Sequence, residues 1–329
     1  METRINFKLK NTIEVKLKTF DELKKHFENK NKFTLIKGEE ITNVVNQKPF
    51  HVTALNIEKL ILPKVIPPEV NVNPSYVIQK NIDDIAQQGI DFNKPTLAVL
   101  NHPNMQWSIS SDIISEIKKL KHIEIYNGYP DSLSQGDIYH HPVTHLWDIE
   151  NTLRLSSLNK NLLYGVASDD SHNYYQFDTT KANPGKGWIM VNSLSNSVNE
   201  LINNINLGNY YSSTGVEISN ILVEEDSLKI TIKEKPGVTY LTLFIGSIEK
   251  NPPHHLTKKK SIRIKKSFEI SSVLEISKSN PASYTFSNKD LFVRAKVITI
   301  NTMKNDLSLF KNESAWTQPV INNNFKSGF

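Results

Sequence analysis

The sequence predicts an α/β domain followed by a small antiparallel β domain, and two observations carry that expectation. Between about Lys32 and Tyr211, short apolar runs alternate with amphipathic segments, the pattern of βα units around a mostly parallel sheet. After Gly215 the periodicity changes to two, with turn residues between the runs, as antiparallel strands require. The division falls near residue 218, giving a first domain over 1–218 and a second over 219–329. A chain of 329 residues has room for both.

Taken in chain order, Thr19 and Glu22 form a capping box that starts a helix. Strands are predicted over Phe33–Ile36, Phe50–Leu55, Thr96–Leu100, Ile123–Tyr126 and Leu162–Ala167, nearly all apolar on both faces as in a covered parallel sheet. Asn81 precedes a helical segment over Ile82–Gln88, and Ser195 or Ser197 caps a helix that ends at Gly208. In the second domain, strands are predicted over Leu228–Lys233, Tyr240–Ile245, Ser261–Lys265 and Leu291–Ile300. The segment Ala315 to Pro319 is expected to bury Trp316 and to end the last strand at the proline, with Asn322 to Asn324 as a frayed tail.

Composition narrows the chemistry. With 38% hydrophobic and 22% charged residues and no apolar run near the ~18 residues of a membrane helix, no membrane partner is expected. The first residues, Met1 to Ile5, lack the features of a signal peptide. There is no cysteine, so any metal must be held by imidazole and carboxylate, and the redox compartment stays undecided. The net charge of +5 is densest at Lys258 to Lys260 and at Lys265 and Lys266. No aromatic or glycine-rich motif accompanies these lysines, which favours a solvated strand over a nucleic-acid surface.

The side chains able to bind metal are placed at expected strand ends: Glu40 after the first strand, His51 opening the second, His102 closing the third, Asp170 and His172 closing the fifth. In an α/β barrel, strand C-termini converge on one face, so ligands far apart in sequence can meet in one pocket. Residues i and i+2 of an extended segment project to one side, which would let Asp170 and His172 reach one metal cluster. Carboxylate and imidazole without thiolate suit Zn, Mn or Fe in a hydrolytic site. Each residue also has a plainer reading as a hydrogen-bonded loop or surface side chain. Asn127 and Lys186 are candidates for holding a polar or anionic substrate, against a turn residue and a solvated lysine. His140, His141 and His145 sit in a proline-containing segment before a helix, which argues against a ligand role.

Four segments in order, Ile36 to Thr42, His51 to Asn56, Asn101 to Asn104 and Gly165 to His172, resemble the later motifs of the PHP (polymerase and histidinol phosphatase) superfamily of metallohydrolases. The resemblance covers roughly Lys18 to Gly215. It implies a PHP-type (β/α)7-like barrel, with Glu40 able to bridge two metals, His51 and His102 as ligands of one, and Asp170 and His172 as ligands of its neighbours. Glu39 aligns with a non-ligand position. Members of that superfamily open with a His-x-His pair and an Asp-His pair, and neither occurs here, where the first histidine is His26. The barrel is therefore expected to be incomplete at its N-terminal side, with one ion retained at Glu40, His51 and His102 and weak hydrolysis by this chain alone. The function expected is metal-dependent hydrolysis of phosphoesters or related small-molecule esters. The alternative is a catalytically inactive binding or scaffold module.

Overall fold

The computed structural model describes residues 15–29, 32–67, 70–250, 267–300, 312–323 and 325. Helix α1 (Phe20–Phe27) begins at the expected capping box, where Thr19 Oγ1 accepts from the Glu22 amide and the Thr19 amide donates to the Glu22 carboxylate. No strand follows at Phe33–Ile36, where Phe33 makes a single bridge to Asn29. The chain instead forms a hairpin of β1 (Gly38–Val45) and β2 (Lys48–Leu55). Asn46 and Gln47 turn it with φ of 52° and 63°, the pair of positive φ values that matches the twist of a two-residue hairpin.

From β2 the chain passes through α2 (Pro74–Asp91) to β3 (Leu97–Leu100), through α3 (Ser111–Glu116) to β4 (His122–Asn127), and through α4 (Val143–Ser156) to β5 (Tyr164–Ser168). Asn73 caps α2 by accepting from the Ser75 amide, and Pro74 opens it. Asn81 therefore lies inside this helix, and its amide donates to Asn43 of β1 at 2.8 Å. The five strands form one sheet in the order β1-β2-β3-β4-β5, antiparallel across β1, β2 and β3 and parallel across β3, β4 and β5.

This overturns the expected barrel. A (β/α)7 barrel needs parallel strands joined by crossovers and closed on each other, whereas here a tight turn replaces the first crossover and the sheet ends in two edges, β1 and β5. Among the described residues the structure is mostly β, with three sheets and no closed barrel.

One face of the five-stranded sheet is covered by Val77, Ile78, Ile82 and Ile85 of α2 and by Leu146 and Trp147 of α4, packed on Ile41, Val52, Leu100, Ile123 and Ile125. The other face packs Leu97, Val99 and Tyr164 against Ile202 and Ile205 of α5 (Val198–Asn206). Ser197 caps α5, with Ser195 bonded to its hydroxyl.

The remaining strands are β6 (Trp188–Val191), β7 (Tyr210–Ser213), β8 (Ile218–Val223), β9 (Ser227–Ile232), β10 (Thr239–Lys250), β11 (Ser267–Ser277), β12 (Ala282–Thr285), β13 (Asp290–Ile300), β14 (Ser314–Thr317) and β15 (Val320–Ile321). An antiparallel sheet runs β11-β10-β13-β14-β7-β6 with β15 beside β13, and a three-stranded sheet runs β12-β9-β8. The larger sheet thus takes β6 and β7 from before residue 218. Trp316 is 3% exposed and belongs to the core under the first sheet. β14 stops before Pro319, after which β15 adds two further residues. Asn322 is not frayed: its amide donates to the carbonyls of Ser287 and Asp290. The expected strand Ser261–Lys265 and the lysines from Lys258 to Lys266 lie outside the described residues.

Candidate metal centre

The hairpin places the first two candidate ligands. Alternation along β1 buries Ile41, Asn43 and Val45 and turns Glu40 and Thr42 outward, while β2 buries Phe50, Val52 and Ala54 and turns His51 and Thr53 to that same face. The register pairs Glu40 with Thr53 and Thr42 with His51, so Glu40 and His51 are diagonal neighbours. Glu40 is the third residue of β1 and His51 the fourth of β2, inside their strands and not at strand ends. His102 lies beyond the carboxyl end of β3, where the Asn101 amide hydrogen-bonds the His51 carbonyl.

Three donor atoms, from β1, β2 and the turn after β3, meet. Glu40 Oε1 lies 3.0 Å from His51 Nδ1 and 3.4 Å from His102 Nε2, and the two ring nitrogens are 3.1 Å apart. An ion bound tetrahedrally at ~2.0–2.1 Å would see its ligand atoms about 3.3 Å from one another. The triangle therefore has the size of one face of such a site, and the fourth position opens to the cleft. No other group of three ligating side chains is assembled this way among the described residues.

Neighbouring groups hold this set in place. Asn101 donates to Glu40 Oε1 at 2.8 Å and to Thr53 Oγ1 at 2.8 Å, while its own oxygen accepts from the Thr53 amide. Glu124, buried in the middle of β4, accepts from the His102 amide at 2.7 Å and from the Asn127 side chain at 2.9 Å. Burial opposes charge on Glu40, yet hydrogen bonds from His102, His51 and Asn101 hold its carboxyl below the ordinary range. Burial also opposes charge on His102, but Glu40 and the nearby Glu124 and Asp170 carboxyls raise its pKa overall. Burial raises Glu124, partly offset by His102 and Asn127. The backbone takes positive φ at four residues of the cleft, His102 (20°), Asp170 (47°), Gln106 (51°) and Leu133 (53°).

All five expected ligands line one cleft of about 480 Å³, together with Met105, Gln106, Tyr129, Asp131 and Leu133. Asp170 and His172 line it too but do not complete a second group of three ligands among the described residues. Their segment is turned and not extended, so the same-side argument fails. His172 Nδ1 hydrogen-bonds the Asp170 backbone carbonyl at 2.7 Å, and Asn127 links Asp170 to Glu124. Asn127 is 4% exposed and works inside the wall. Lys186 is committed to the carbonyls of Lys181 and Thr179 and does not line the cleft. Glu39 points elsewhere and accepts from the Ile61 amide. His140 stacks on Trp107 with ring centroids 3.8 Å apart and bonds Asp137, while His145 bonds Ser271.

No known protein-family model, curated protein or solved structure matches this chain. The functional reading therefore rests on the cleft and on the motifs of the sequence.

Proposed function

We propose that this protein is a metal-dependent hydrolase of phosphoesters or related esters that holds one divalent ion at Glu40, His51 and His102. The observation that carries the reading is the convergence of three donors, from β1, β2 and the turn after β3, to 3.0–3.4 Å in a cleft. Two imidazoles and a carboxylate fit Zn, Mn or Fe, and His and Glu must shed their protons to bind it. An ion in that position supplies Lewis acidity toward water and toward an ester oxygen near neutral pH.

The chain's own residues supply orientation and proton handling. Asn101 fixes the Glu40 carboxylate, and Glu124 fixes the backbone of His102. With Nδ1 of His172 held by the Asp170 carbonyl, Nε2 is the nitrogen left to take or deliver a proton in the cleft. The ordered motifs that resemble the PHP superfamily support this chemistry from the sequence, without the barrel.

The test is hydrolysis of aryl esters and aryl phosphoesters by the purified protein with Mn or Zn. Turnover should be lost on chelation and should fall by about 100-fold or more in Glu40→Gln and His102→Ala. Turnover undiminished in both variants would overturn the reading.

A further inference from the structure

The cleft's charge narrows the substrate class, an inference that rests on the hydrolase reading above. Glu40, Asp131 and Asp170 line it, with Glu124 buried behind His102, and neither lysine nor arginine is among its lining residues. Lys48 Nζ donates to the Trp107 carbonyl at 2.9 Å, and Lys186 Nζ to the Lys181 and Thr179 carbonyls. One doubly charged ion facing three carboxylates leaves the cleft negative. Sites that handle a phosphoryl dianion meet its charge with arginine, lysine or several metal ions, because fixed positive charge must meet the charge that is carried in.

Beside Gln106, the uncharged part of the wall includes an apolar patch. Met105, Leu133 and the ring of Tyr129 face the same space, and Tyr129 packs edge-on to His172 with ring centroids 5.4 Å apart. A cleft of about 480 Å³ holds a ligand of small-metabolite size.

We propose that the substrate is an uncharged ester with an apolar or aromatic portion, a carboxylic ester or lactone, and not a phosphomonoester dianion. The ester C–O bond breaks, water adds its oxygen to the acyl carbon, one water proton goes to the leaving oxygen, and the second is lost from the acid product.

The experiment compares p-nitrophenyl butyrate with p-nitrophenyl phosphate in the Mn-loaded protein as salt is raised, alongside Asp131→Lys. Added salt screens a repulsion, so kcat/KM for the phosphate should rise with salt and that for the butyrate should stay level. Asp131→Lys should raise the ratio of kcat/KM for the phosphate to that for the butyrate about tenfold or more. Calorimetric binding of phenylphosphonate, read without turnover, should tighten in the same variant by a similar factor. A kcat/KM for the phosphate that falls with salt, or phenylphosphonate binding that is already tight in the parent and weakens in Asp131→Lys, would overturn the charge argument and leave the hydrolase reading standing. Absence of metal-dependent turnover on both esters would overturn both.

Discussion

A hydrogen-bonded neighbour decides what each donor of the candidate centre can do. Asn101 touches no expected ion, yet it orients Glu40 through one bond and ties it to β2 through Thr53. Removing such a partner commonly costs 10–100-fold in metal affinity. We expect Asn101→Ala to weaken Zn or Mn binding by about that factor in a calorimetric titration, and unchanged affinity would show that Glu40 needs no such support. At this scale much of the site was legible. Glu40, His51 and His102 stand out because each is a potential ligand in or beside an apolar strand. Glu124 carried the same signal, a lone carboxyl between Ile123 and Ile125, but its role in holding His102 depends on where β4 lies relative to β3. Lys186 misled because a lysine in a glycine-rich loop reads as a phosphate contact, whereas the folded loop turns its amine onto its own carbonyls.

Among the elements, the β1–β2 hairpin accounts for the largest error of the sequence reading. Its turn, Asn46-Gln47, lacks the glycine that marks such turns, so the sequence suggests a strand at Phe33–Ile36 and a parallel partner at Phe50–Leu55, and gives no sign of the antiparallel strand over Gly38–Val45. Gln47 carries a φ of 63°, which a side chain adopts at a cost. Gln47→Gly should therefore stabilise the protein by up to about 1 kcal/mol in denaturant unfolding, and a loss of stability would contradict the turn geometry. The parallel part of the sheet was predicted to within a few residues, since β3, β4 and β5 are apolar and bounded by clear breaks. A second consequence sits where β4 meets β7. His122 opens β4, is 1% exposed and bonds the Tyr210 hydroxyl at 3.1 Å, and burial pushes its pKa down to about 3. Its folded pKa lies below that of the unfolded chain, so its contribution is intact above about pH 6.5 and declines as pH falls toward 3, at about 1.4 kcal/mol per pH unit. Denaturant unfolding between those pH values should show that slope in the parent and a shallower one in His122→Asn. Equal slopes would mean that His122 does not titrate with unfolding.

For the whole molecule, the two regions of the sequence share structure and do not merely touch. Trp316 of β14 packs in the core beneath the first sheet, and Gln318 exchanges two hydrogen bonds with Gly165 of β5. Arg294 of β13 forms a bidentate pair with Asp148 of α4, both of its bonds 2.7 Å, and Ser271 adds a third bond to that carboxylate. Asp148 has no exposed side-chain surface, so removing its partner strands a buried charge. Arg294→Met should cost about 3–5 kcal/mol in denaturant unfolding, and Asp148→Leu added to it should recover part of that loss. A fold joined this way holds β1, β2 and the turn after β3 at fixed separation, which brings Glu40, His51 and His102 within reach of one ion. The central claim is that these three side chains are a metal site. Titration of the purified protein with Zn, followed by calorimetry, tests it most directly. We predict saturable binding of one ion per chain, weakened by about 100-fold or more in His102→Ala. No saturable binding by the parent, or equal affinity in the variant, would contradict it.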